Sequence, residues 1–307
     1  MERKENIDLF GALALTVFSL LLAFNQVVIK VANGGFSPVF MACLRSIGGA
    51  LLVFLWIRFR RKPVAMPPGA TVWGVMLGLL FGFEFTCLFT ALDLTTVSRA
   101  SVIFYTMPVW LSLAAHVLIP GERIDRTKAL GLILAVCGVA LAFADRGGEA
   151  RSPSLLGDIL SLVGAFLWAG IALVVRATPA GNAAPETQLF WQLAVSAPIL
   201  FVGSLFFGPF IRDLAPIHVG ALAFQIVAVV TVGFLVWFWL LKIYPASGVA
   251  SFSFLTPIFA VLLGWLLLDE EISLSVWAAL VLVAAGILLV NRPQRPRPPR
   301  ELAVKGM

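Results

Sequence analysis

Ten apolar stretches, separated by charge, proline or glycine, leave this chain few ways to fold. They lie near residues 8–31, 38–57, 70–91, 97–118, 127–144, 155–177, 187–207, 216–241, 247–268 and 273–291. A helix needs ~20 apolar residues to cross ~30 Å of hydrocarbon, and each stretch is close to that length. Such spans consume ~200 of the 307 residues and leave room only for short loops and tails. Apolar residues make up 60% of the chain and charged ones 12%, about half the charged share of a soluble domain. The expected fold is therefore an all-α polytopic membrane protein with ten transmembrane helices.

This layout excludes several functions. No stretch outside the apolar runs can hold a nucleotide-binding domain, so a built-in ATP-driven pump is out. The pI of about 9.7 suggests nucleic acid at first sight, but the basic residues sit in short juxtamembrane loops, a pattern that sets orientation. In alternate loops, sixteen Lys and Arg fall on one side, including Arg58, Arg60, Arg61, Lys62, Arg123, Arg126 and Lys128. Four fall on the other: Arg99, Arg146, Arg151 and Arg212. The asymmetry predicts a multi-pass protein of the cell (inner) membrane with both termini cytoplasmic. The apolar run from Leu9 to Ala32 is too long for a cleavable signal. Cys43, Cys87 and Cys137 stand singly in apolar runs, with neither metal-ligand nor disulfide spacing. No metal and no cofactor is expected.

The chain repeats itself. An offset of 146 residues lays Gly11 on Gly157 and Lys30 on Arg176. An offset of 149 lays the run 95–108 on 244–257, matching Ser98 to Ser247 and Pro108 to Pro257. The acidic segments at Glu122 and at Glu270-Glu271 follow these prolines at distances equal to within one residue. Each half, 9–144 and 155–291, holds five spans, so the second must enter the bilayer upside down. Residues 292–307 form a basic, proline-rich tail expected to be disordered. Inverted repeats place a substrate path near the midplane, between the halves.

Several pieces carry a family resemblance: Asn25 to Lys30 ending span 1, Ser37-Pro38 with Arg45 in span 2, Ala91-Leu92 before the 95–108 run, and the paired acidic segments opening spans 5 and 10. Together they resemble the drug/metabolite transporter superfamily, EamA-type ten-helix members, over residues 9–291. The resemblance implies a transporter with spans 1–4 and 6–9 around a central cavity and spans 5 and 10 outside. It also implies export over import, and leaves the substrate open.

Charged side chains inside the bilayer cost at least ~2.5–3.5 kcal/mol on insertion scales, so each calls for a reason. Thr16, Ser19, Ala23, Gln26 and Lys30 share one face of span 1, with Asn25 beside it. Close helix packing explains the small residues, while Gln26 and Lys30 point to a cavity wall. Arg45 and Glu84 each lie seven residues from the same end of the predicted spans, ~10 Å deep. They read either as a structural ion pair or as groups for a substrate: Arg45 and Lys30 on a carboxylate or phosphate, Glu84 on an amine or a coupling proton. Tyr105 is expected to face the cavity, and Pro108 and Pro257 to kink spans 4 and 9. Trp168, aligned with Leu22 and mid-span, is the candidate for a stacking or cation–π contact. Arg99 reads as an interfacial anchor or as a lure for anions at the outer mouth, and Glu122, Glu270 and Glu271 as charges at helix N-termini, not as sites.

The function that follows is secondary transport, by alternating access, of a small polar or zwitterionic metabolite such as an amino acid, driven by a proton or by the substrate's own gradient. The rival readings are an intramembrane enzyme and a lipid flippase. His116 and His218 sit far apart and no HExxH or GxSxG occurs, which ranks the enzyme low. Monomer and dimer both remain open, because the stripe Gly131, Ala135, Gly138 and Ala142 suits either a partner or internal packing.

Overall fold

A computed structural model describes residues 7–119, 124–144, 154–244, 249 and 252–291. The basic tail 292–307, Glu122 and Ser247, the match of Ser98, lie outside the described residues. The described chain is a bundle of helices. Its first half runs α1 Leu9–Ala32, α2 Pro38–Phe59, α3 Thr71–Leu94, α4 Val97–Phe104, α5 Met107–Leu118 and α6 Arg126–Ala144. Its second half runs α7 Leu155–Ala177, α8 Pro185–Ser204, α9 Pro216–Phe224, a π-helical stretch Gln225–Gly233, α10 Phe234–Ile243, α11 Leu255–Leu268 and α12 Leu274–Val290. Among the described residues seven helices are long and apolar enough to cross a membrane, and α4 with α5 counts as one of them. The exposed side chains on these helices are mostly Leu, Val, Ile and Phe, as a lipid-facing surface requires.

Span 4 breaks where a proline was expected to bend it. α4 ends at Phe104, Thr106 starts the next helix, and Pro108 sits in the first turn of α5, where its missing N–H goes unneeded. Pro257 likewise lies in the first turn of α11, just after a 3₁₀ turn at Phe252–Phe254. The π-helical stretch after α9 has no counterpart in the sequence reading. Its geometry shows in Thr231, whose hydroxyl reaches back five residues to the Ile226 carbonyl at 2.9 Å.

Glycine sets the tightest helix approaches. A Cβ on Gly78 would stand 2.3 Å from Val195 Cβ and 3.0 Å from the Trp191 carbonyl oxygen, so α3 and α8 meet backbone to side chain. On α6 and α12, a Cβ on Gly131 would stand 2.8 Å from the Gly286 carbonyl oxygen, and one on Gly138 would stand 2.9 Å from that of Ala279. The stripe Gly131, Ala135, Gly138 and Ala142 is buried. It is used within the chain, so it carries no argument for a dimer. The core around Val102, Val109, Ala135, Val283 and Ile287 is separate from the larger one under α1–α3 and α8, which leaves α6 and α12 packed together at one side of the bundle.

Candidate functional site

The central space is a cavity of ≈ 340 Å³ walled by both halves of the chain. Its lining follows the sequence repeat. At the 146 offset, Leu22 pairs with Trp168 and Asn25 with Ile171; at 149, Phe85 pairs with Phe234, Leu88 with Trp237, and Met107 with Thr256. All ten of these residues line it. Corresponding positions that converge on one hollow are what a pseudo-twofold axis through it produces.

The polar lining is not symmetric. Asn25, Gln26, Arg45, Glu84 and Tyr105 come from the first half, whereas Gln192, Ser253, Thr256 and Asn291 are the second half's neutral share. Arg45 is 3% exposed and Glu84 4%. No salt bridge joins them among the described residues, although each charge acts on the other. The Arg45 guanidinium lies over the Phe85 ring, 4.4 Å from its centroid, and 5.8 Å from that of Phe89. Its Nε and Nη1 meet no hydrogen-bonding group among the described residues. The phenylalanine row Phe81, Phe85 and Phe89 that carries this contact reads in the sequence as ordinary packing; two of its rings line the cavity.

Depth differs from expectation on one side. α3 continues to Leu94, three residues past the predicted end, so Glu84 lies ten residues from that end, ~15 Å deep. Arg45 stays seven residues beyond Pro38, ~10 Å deep. Asp93, in the last turn of the longer α3, forms a bidentate pair with Arg212, at 2.8 and 2.9 Å. That carboxylate holds the guanidinium of Arg212, in the loop following α8, above its ordinary pKa.

The remaining candidates divide. Tyr105 lines the cavity, and its hydroxyl accepts a hydrogen bond from Gln26 Nε2 at 3.3 Å. Asn25 Oδ1 and Gln26 Oε1 are buried without a protein donor. Trp168 stacks on Phe104 at 5.1 Å and meets Tyr105 edge-on at 5.8 Å, which makes an aromatic corner of the wall. Lys30 is not in the lining. One turn beyond Gln26, its Nζ donates to the Thr95 carbonyl oxygen at 2.7 Å, at the end of α3. A lysine on a long stem reaches the nearest helix-end carbonyl in preference to an apolar hollow.

Two residues have partners that spacing did not reveal. Arg99 is no interfacial anchor: it is 5% exposed, and its Nη2 donates to Asp158 Oδ2 and to the Ala142 carbonyl oxygen, at 2.6 and 2.5 Å. Asp158, 2% exposed, also accepts from Thr95 Oγ1 at 3.1 Å. The one clue in the sequence is an acid placed inside the otherwise apolar opening of span 6. Glu270 does serve a helix N-terminus, but that of α4 rather than its own: Oε1 accepts from Val97 N at 2.6 Å, and Oε2 from Ser98 N at 2.9 Å.

Among the described residues no group of three His, Cys, Asp or Glu could hold a metal. The wall thus sets a buried guanidinium at Arg45 and unpartnered acceptors at Asn25 and Gln26 beside an apolar ring surface.

Comparison with known proteins agrees with this architecture. The uncharacterized transporter YoaV of Bacillus subtilis is 25% identical over 284 residues, covering 90% of this chain and 95% of its own. A probable amino-acid metabolite efflux pump of Escherichia coli is 26% identical over 304 residues, covering 94% and 95%. A solved crystal structure shares the fold, with a TM-score of 0.63 over 90% of this chain and 94% of the other, at 21% identity. The EamA-like transporter family matches residues 9–144 and 155–292, nearly all of the bundle that walls the cavity, and the chain belongs to that family.

Proposed function

We propose that this multi-pass membrane protein is a secondary transporter that exports a small zwitterionic metabolite of the amino-acid class by alternating access. One observation carries the substrate class: Arg45 is buried in the cavity wall with Nε and Nη1 unmatched by any protein group, while Glu84 lies in the same wall. A desolvated cation–π contact with Phe85, worth ~2 kcal/mol, does not supply the hydrogen bonds that Nε and Nη1 lack. An incoming carboxylate supplies the missing hydrogen bonds, and Glu84 receives the ammonium. Because Lys30 is turned away to Thr95, the wall presents one cation among the described residues, which fits a monoanionic head better than a phosphate. The relative named an amino-acid metabolite efflux pump supports both class and direction.

Two halves walling one hollow suit a rocking cycle, with helix breaks at Tyr105–Thr106 and before Pro257 as flexing points. The Lys/Arg-rich end is assigned to the cytoplasm, in the inner membrane. Glu84 is the candidate carrier of a coupling proton, because a carboxylate in a nearly dry wall can alternate between proton and substrate amine.

Counterflow in proteoliposomes, run against a panel of amino acids, sugar phosphates and nucleosides at several pH values, tests the reading. Accumulation of zwitterions alone supports it; accumulation of sugar phosphates, or of nothing in the panel by folded protein, refutes it. Glu84→Gln with binding retained and flux lost supports proton carriage, whereas unchanged pH-dependent flux removes Glu84 from that role.

A further inference from the structure

The cavity is closed at one end. On α1 its lining stops at Gln26, on α2 at Arg45 and on α3 at Leu88. The next turns toward the Lys/Arg-poor end are packed shut: Ile29, Ala32, Met41, Ala42, Phe89 and Leu92 are all 0% exposed. In the opposite direction the lining continues to Leu15, Leu111 and Asn291, close to the Lys/Arg-rich end.

α4 begins at the closed end, directly after α3, and its first turn is held by the second half of the chain. The leading N–H groups of any helix lack intrahelical partners. Here Thr96 Oγ1 accepts from Arg99 N, and Glu270, from the turn after α11, takes the rest: Val97 N, Ser98 N and the Ser98 hydroxyl, at 2.6, 2.9 and 2.6 Å. The geometry is built for this contact. Asp269 adopts φ 51°, a left-handed turn that ends α11 and directs Glu270 back over it. Beneath lies Gly264, where a Cβ would stand 2.6 Å from Glu270 Oε2 and 2.9 Å from Ser98 Oγ. The other tie between halves at this turn, Arg99 to Asp158, is buried on both sides. Glu270 is half-buried and borders a surface recess with Trp265, Asp269, Glu271 and Trp277, so water can replace α4 as its partner.

We infer that Glu270 is the gating residue of transport: its carboxylate, capping α4 across the two halves, bolts the Lys/Arg-poor end shut, and its release opens the cavity to that side. It is a positioning residue that acts through α4, whose far end leads directly to Tyr105 in the cavity wall. The inference rests on the transport reading, and its test does not require flux.

Leu22→Cys, in a background with Cys43, Cys87 and Cys137 replaced by serine, puts one thiol in the cavity wall. Full-length protein in liposomes of known sidedness is labelled with a membrane-impermeant thiol reagent from each face. Glu270→Ala removes three hydrogen bonds to a charged acceptor and is expected to raise labelling from the Lys/Arg-poor face about tenfold or more. Gly264→Ala, which displaces the carboxylate without removing it, is expected to act in the same direction. Glu270→Gln keeps an acceptor and is expected to fall between it and wild type.

Unchanged labelling from that face in monodisperse Glu270→Ala protein overturns the inference. If Glu270→Ala does not fold, unchanged labelling in Gly264→Ala and Glu270→Gln overturns it equally. Wild-type flux without a labelling shift in the variants removes the bolt and leaves transport standing. A labelling shift in a protein that carries nothing in the panel leaves the bolt standing and removes the proposed substrate class.

Discussion

The proposed substrate site turns on Arg45. It is almost fully buried, its guanidinium lies over the Phe85 ring, and no salt bridge joins it to Glu84 among the described residues. Arg45→Ala is therefore expected to weaken substrate binding by ~10- to 100-fold, the worth of charge-assisted hydrogen bonds, while leaving the thermal stability of the solubilised protein unchanged or higher. Scintillation proximity binding and a melting curve check the two halves of that statement. A large fall in stability would instead mark Arg45 as structural. Tyr105→Phe removes the acceptor for Gln26 Nε2 and is expected to cost ~1 kcal/mol, about a fivefold rise in KM with little change in maximal flux. Lys30 and Arg45 have the same charge and lie in neighbouring spans, yet one faces the hollow and the other a helix end. The sequence marks both as expensive residues, but where a long stem reaches depends on which carbonyl lies nearby.

Among the elements, α3 is the most tightly fitted. Its Gly78 faces Val195 with no room for a methyl group, whereas Gly170 on α7 has only Leu80, at 3.7 Å or more, near a Cβ. Gly78→Val is expected to destabilise the solubilised protein by ~1–3 kcal/mol, the range for overpacking, and to lower its melting temperature. Gly170→Ala is expected to leave that temperature unchanged within a degree or two. Equal effects at the two sites would mean that helix approach does not set the stability of this bundle. The Gly74, Gly78 and Gly82 spacing is visible in the sequence as a packing face, and its partner, α8, emerges only from the fold. The helix break at Tyr105 was readable from Pro108. The π-helical stretch Gln225–Gly233 was not, because an inserted residue leaves the apolar pattern of such a run unchanged.

For the whole molecule, the central fact is that buried charges join the halves at one end. Asp158→Asn deprives the buried Arg99 of a carboxylate and is expected to cost ~3 kcal/mol or more, seen as loss of monodisperse protein or a lowered melting temperature. Replacing both, Arg99→Met with Asp158→Leu, is expected to recover stability, since an apolar pair of similar volume needs no counter-charge. Failure of the double variant to recover would show that Arg99 serves another partner of greater weight. Two of the ties between the halves at that end, Arg99–Asp158 and Glu270 to α4, meet within one turn of α4, and the Asp93–Arg212 pair joins the halves nearby.

Hydropathy, charge asymmetry and self-similarity in the sequence alone determined a multi-pass helical protein built from related halves, with its ionisable lining in the first. These are local or periodic properties, and the bilayer enforces them because every span must be long, apolar and internally hydrogen-bonded. Which polar groups meet was decided only by the tertiary structure. Arg99 found Asp158, 59 positions away, and Glu270 found Ser98, 172 away. Such pairings depend on the rotation and tilt of each helix about its neighbours. Those follow from side-chain packing, which no spacing within a single span records.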